Sequence, residues 1–131
     1  PAYRRMIHAY KAAGARYVIL HSDGNILPIL DMLVDAGIDG LNPLERRASM
    51  VAEELRVRYP QLILTGGMCN TRTLPLGTAF EIEEEARTLI ELGRDGGFVI
   101  GTHSGSPEIP LESFATYQHA CETHGDFSAP A

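Results

Sequence analysis

The chain has 131 residues, 44% hydrophobic and 21% charged, which is enough for one hydrophobic core and short for two. Seventeen acidic residues against eleven Lys and Arg leave a formal net charge of −6, which argues against a sequence-independent grip on nucleic acid, because such a grip needs clustered cations. No apolar run approaches the roughly 20 residues that cross a bilayer, no secretory leader is visible, and Cys69 and Cys121 are too few for a disulfide framework. The expectation is a single domain over 1–131, cytoplasmic, with no membrane and no nucleic-acid partner. Pro1 stands where an initiator Met is usual, which suggests a piece of something longer.

The pattern predicts a helix, then strand and helix four times over. Tyr3, Met6, Ile7 and Tyr10 recur at helical spacing, and Gly14 closes that helix. Tyr17-Val18-Ile19-Leu20 is a short apolar run rich in β-formers and reads as a buried strand. His21-Ser22-Asp23-Gly24-Asn25 is turn chemistry. Ile26, Leu30 and Leu33 then line a helix with Pro28 in its first turn and Gly37 as its stop. Ile38-Asp39-Gly40-Leu41 is a weaker strand ending at Asn42-Pro43. Ala48, Val51, Ala52, Leu55 and Tyr59 mark the next helix, which Pro60 ends. Leu62-Ile63-Leu64 is a third strand that opens into a long loop from Gly66 to Gly77. Thr78 and Glu81 form a capping box ahead of Ile82, Ala86 and Leu89, and Glu81 to Glu85 read as a dipole-favoured acidic helix start. Gly97-Phe98-Val99-Ile100 is the fourth strand, and a last helix runs from about Leu111 to His124.

Short buried strands alternating with helices imply a parallel α/β sheet, because parallel neighbours need a crossover. Handed crossovers place every strand-to-helix loop at one end of that sheet. The unusual polar residues fall there: His21 and Asp23 after the first strand, Asn42 and Glu45 after the second, Thr65, Cys69 and Arg72 after the third, His103 and Ser104 after the fourth. His21 and Asp23 project the same way if the strand runs on. With His103 they offer two imidazoles and a carboxylate, a set suited to catalytic zinc, iron or manganese. The competing reading makes Asp23 a helix cap. His103 sits between Gly101 and Gly105, where a backbone can approach a ligand, and can act as acid, base or metal ligand. Arg72 can hold a substrate carboxylate or phosphate, and Asn42 and Glu45 can line the same rim. Glu45 serves equally as a first-turn helix acid. Nothing near Cys69 is clearly placed to lower its pKa.

The chain resembles the C-terminal half of the uroporphyrinogen decarboxylase superfamily, which includes zinc-dependent cobalamin:thiol methyltransferases. The segments that carry this are His21 to Asn25, Ala36-Gly37-Ile38-Asp39-Gly40-Leu41-Asn42-Pro43, Leu64-Thr65-Gly66-Gly67-Met68, Gly96 to Pro107 and Ile109-Pro110-Leu111-Glu112, in that order. The resemblance implies half of a (β/α)8 TIM barrel, its strands five to eight. In the decarboxylase a histidine four residues before a proline lies in the substrate cleft, which His103 and Pro107 match. In the methyltransferases an H-x-C motif and a later cysteine bind zinc. Here His21 matches, while Asp23 and His103 stand in the cysteine places, so a metal would meet harder ligands. Gly66-Gly67-Met68-Cys69-Asn70 departs from the decarboxylase G-N-x-D-P, and the catalytic aspartate, a tyrosine and the carboxylate-binding arginines belong to the other half.

Four strands do not close a barrel, and open edges invite another chain. A homodimer, or the N-terminal half, is the expected partner. An open flavodoxin-like sheet, with helices on both faces, is the structural rival. Three functions follow for a small-molecule ligand, a tetrapyrrole or a methyl donor or acceptor. The first is a decarboxylase-like domain without cofactor and inactive as a half, with His103 and His21 at the substrate. The second is a zinc methyltransferase-like domain. The third is a binding or assembly module.

Overall fold

Four runs of β-forming residues pair in the order in which they occur. A computed structural model describes residues 2–127. It has strands β1 (Ile19–His21), β2 (Gly40–Asn42), β3 (Ile63–Met68) and β4 (Phe98–Thr102) in one parallel sheet of order β1-β2-β3-β4. The helices are α1 (Ala2–Ala12), α2 (Leu27–Ala36), α3 (Ala52–Arg58), α4 (Thr73–Leu76), α5 (Ala79–Glu91) and α6 (Leu111–His124), with a 3-10 turn at Arg46–Ala48. Crossovers of one hand between strands taken in sequence put every connecting helix on the same face. That decides against the flavodoxin-like rival, which needs a reversal of strand order.

Burial agrees with the one-faced arrangement. Leu41 and Leu64 on the sheet join Leu30 and Leu33 of α2, Leu55 of α3, Ile82, Ala86 and Leu89 of α5 and Tyr117 and Ala120 of α6 in one cluster, with Leu20 and Phe98 packed against it. Alternation along the strands then turns Ile19 and Val99 to the other face, where they are 42% and 59% exposed. The register aligns Leu20 with Leu41 and Leu64 with Phe98, so each layer of the core is built from neighbouring strands.

The strands end later than the sequence alone implies, and β3 most of all. Gly66 and Gly67 read as a loop opening, yet the ladder with β4 runs on to Met68 opposite Thr102. Both glycines have left-handed φ, 101° and 96°. A Cβ on Gly66 would lie 3.1 Å from the Leu44 nitrogen, and one on Gly67 would lie 2.9 Å from the Leu89 side chain. The strand turns here without side chains, which brings α5 close behind it. The helix expected from Ala48 is instead a 3-10 turn followed by α3, because Ser49 adopts left-handed φ between them. Pro28 at the start of α2, the left-handed Gly37 cap and the Thr78–Glu81 capping box are all present. Among the described residues no helix is long and apolar enough to cross a membrane.

Asp39 fastens the first layer. Its carboxylate accepts from Lys11 Nζ of α1 at 2.8 Å and from the Val18 N–H at 2.7 Å, just ahead of β1. Burial acts to raise its pKa, but the Lys11 hydrogen bond, the Val18 N–H and the Lys11 charge together hold it below the usual carboxylate value. The folded pKa is the lower one, so this contribution to stability is present above the ordinary aspartate range and is lost as pH falls through the folded value. Chemical denaturation of Asp39→Asn from neutral to acid pH is expected to show a shallower acid loss than the wild type. An unchanged slope would refute the assignment.

Candidate metal centre

The C-terminal ends of the strands bring residues far apart in the chain to one rim. β1 ends on His21, and the parallel register sets Asn42 of β2 beside it. His21 Nδ1 lies 2.7 Å from Asn42 Oδ1. Asn42 Nδ2 donates to Thr65 Oγ1 of β3 at 2.6 Å, and the Thr65 hydroxyl donates to the Leu41 carbonyl at 3.0 Å. Beyond β4, His103 Nε2 lies 2.6 Å from Asp23 Oδ1, a contact across 80 residues of chain. The same Asp23 oxygen is 3.4 Å from His21 Nε2. The imidazole rings stand 6.3 Å apart and are tilted by 41°. On its other side His103 Nδ1 meets Ser104 Oγ at 3.0 Å and Asn70 Nδ2 at 3.3 Å.

Asp23 is therefore not a helix cap. The Ile26 cap of α2 has no side-chain bond, and Asn25 Oδ1 accepts from the Leu27 N–H instead. This frees Asp23 to lie between the two histidines. One ligand atom from each of His21, Asp23 and His103 lies within 4.8 Å of the others, and both histidines turn Nε2 toward Asp23. Zinc bonds of about 2.0–2.2 Å in a tetrahedron separate ligand atoms by roughly 3.3 Å. The 3.4 Å gap from His21 to Asp23 already fits. The 2.6 Å gap from Asp23 to His103 is a hydrogen bond, which must widen by roughly 0.7 Å when a metal takes the place of its proton. Two imidazoles and one carboxylate suit zinc, iron or manganese, and the half-exposed His21 and Asp23 leave one side of the set open to a further ligand.

The other rim residues divide differently. Asn42 joins the cluster, with its amide engaged at both ends. Arg72 is exposed and lines a separate groove of about 600 Å³ with Arg46, Arg47, Cys69, Leu76 and Phe80. Glu45 is half-buried, and its carbonyl accepts from the N–H groups of Ala48, in the 3-10 turn, and of Met50 just beyond it. Neither Arg72 nor Glu45 belongs to the set of three donors. A second cleft, about 680 Å³ between α1 and α2, shares no residue with the rim cluster. Cys69 corrects an expectation. Burial pushes its thiol pKa up, but the N–H groups of Thr73, Thr71 and Arg72 and the Thr71 hydroxyl outweigh that and bring it below the usual thiol value. The turn into α4 aims these N–H groups at the sulfur, an arrangement that composition around Cys69 does not reveal. Asn70 is a residue the sequence reading passed over. It is 9% exposed, touches His103, and its Oδ1 is buried with no hydrogen-bond partner among the described residues. An asparagine within a loop run carries no signal that would single it out.

The uroporphyrinogen decarboxylase (URO-D) family model matches residues 1–124, nearly the whole chain. The chain belongs to the uroporphyrinogen decarboxylase family. A search of curated proteins gave no match, and neither did a search of solved structures. The family's fold is a TIM barrel, and four sequential parallel strands with helices on one face are compatible with half of one. In that fold chemistry sits at the C-terminal ends of the strands, which is where the uroporphyrinogen decarboxylase-family rim carries His21, Asp23 and His103.

Proposed function

We propose that this uroporphyrinogen decarboxylase-family chain is a metal-dependent enzyme domain whose His21, Asp23 and His103 hold one divalent ion, zinc foremost, and present it to a small-molecule substrate. The observation that carries the reading is the meeting of three donors from the two edge strands of the sheet within 4.8 Å. When bound, such an ion lowers the pKa of a coordinated water or thiol and polarises an oxygen ligand. The nitrogen and oxygen donors favour an oxygen-bound substrate over the thiol of the methyltransferase relatives. His103 then serves as both ligand and gate, since its Asp23 contact must open for the ion to enter.

The 2.6 Å bond between His103 Nε2 and Asp23 favours a second reading, in which no metal is used. There Asp23 orients His103, and His103 delivers a proton during a decarboxylation. In both readings the chain supplies strands five to eight of a barrel. The uncovered face with Ile19 and Val99 is then closed by an N-terminal half or by a second copy. One experiment addresses metal and assembly together: size exclusion with light scattering, and elemental analysis across the peak after zinc loading and desalting. One zinc per chain is expected, in a species of at least twice the chain mass. Metal-free protein removes the first reading, and a peak at the single-chain mass removes self-association.

A further inference from the structure

We infer that Thr65 and Asn42 are positioning residues that hold His21 in a single tautomer, with the proton on Nδ1 and the bare nitrogen, Nε2, facing Asp23. This deepens the metal reading above and rests on it for its purpose, though not for its geometry. One group in the chain of bonds has no freedom. The Leu41 carbonyl can only accept, so the Thr65 hydroxyl, 3.0 Å away, spends its one proton there. Thr65 Oγ1 can then only accept from the Asn42 amide 2.6 Å away, and the atom that faces it must be the NH2 end. This fixes the Asn42 amide, whose other end, the oxygen, lies 2.7 Å from His21 Nδ1. An amide oxygen donates nothing, so the proton of that bond sits on Nδ1. In neutral imidazole the other nitrogen is then an acceptor. Nε2 of His21 thus turns a lone pair toward the Asp23 carboxylate at 3.4 Å, two acceptors that a metal cation between them would reconcile.

His103 is set the other way round: its Nε2 lies 2.6 Å from Asp23 Oδ1, a carboxylate that only accepts, so its proton sits on Nε2. Its Nδ1 is then an acceptor, facing the Asn70 NH2 group at 3.3 Å and the Ser104 hydroxyl at 3.0 Å. The two histidines therefore differ in kind. His21 is set in advance as a ligand, whereas the nitrogen His103 would offer carries a proton held by Asp23, and that bond must open first.

Long-range nitrogen–proton correlation spectra of the metal-free chain, with its imidazoles neutral, read the tautomer directly. His21 is expected to show a protonated-type Nδ1 and an unprotonated-type Nε2. In Thr65→Val the anchor is gone, and a mixture of tautomers is expected together with about a 10–100-fold loss of zinc affinity, the usual cost of removing an orienting partner. Thr65→Ser, which keeps the hydroxyl, is expected to restore both. A proton on His21 Nε2 in the wild type, or an unchanged tautomer in folded Thr65→Val, overturns the inference. If Thr65→Val does not fold, the wild-type spectrum alone decides it. If the wild type takes no zinc, the metal reading falls and the tautomer result still stands for or against this assignment.

Discussion

In the His103→Ala chain, zinc affinity is expected to fall at least about 100-fold, beyond the range seen when only an orienting partner is lost. The reason lies in the sheet. His21 ends β1 and Asp23 lies in the turn that follows it, while His103 follows β4 at the opposite edge. Two exposed donors on a single turn bind a metal loosely, because the third closes the set. His21→Ala is expected to do the same, whereas His119→Ala on α6 should leave binding unchanged, since it is not among the three donors. Binding of the wild type should also weaken on acidification, since neutral imidazoles are required. Titration against a coloured chelator measures all of these. Retention of tight binding by His103→Ala would mean that any metal is held elsewhere.

The second large effect concerns the core. Leu64→Ala is expected to cost about 3 kcal/mol, within the range for emptying a well-packed leucine site, and to lower Tm by roughly 10 °C. Leu64 is 0% exposed, with strands on both sides and helices behind. The two adjoining ladders leave little room for the site to collapse around a smaller side chain. Val57→Ala on α3, at 84% exposure, is the matched control and should stay within about 0.5 kcal/mol of wild type. Thermal and urea unfolding of the pair test this. A Leu64→Ala chain as stable as the Val57→Ala chain would contradict the packing described. The same loss should loosen Thr65, the next residue, and so reach the rim.

What could be read without coordinates follows from what each residue type can do alone. Thr78 with Glu81, Pro28 at a first turn and Gly37 at a stop act within one turn of chain, and all three stand where expected. The alternation of short apolar runs with helical faces was enough for a parallel sheet, and the family's motifs for half a barrel. Strand ends were not legible, because they depend on partners: β3 reaches Met68 only because Thr102 lies opposite. The donor set was legible as residue types at strand ends, since one handed topology forces those ends together. Its supporting bonds were not. That Thr65 reaches the Leu41 carbonyl, or that Asn70 backs His103, depends on distances between neighbouring strands and loops. Cys69 shows the same limit, since its thiol answers to N–H groups that only the turn into α4 aims at it.

The strand order has one more consequence, in time rather than in space. Each strand's neighbour is the next one synthesised, so the sheet can grow by accretion as the chain leaves the ribosome, with short closures at every step. The rim is the exception. Its outermost donors come from the ends of β1 and β4, so the metal capture proposed above would have to wait for β4 and His103 to dock. A nascent chain ending before His103 would already own its four strands and only two of the three rim donors.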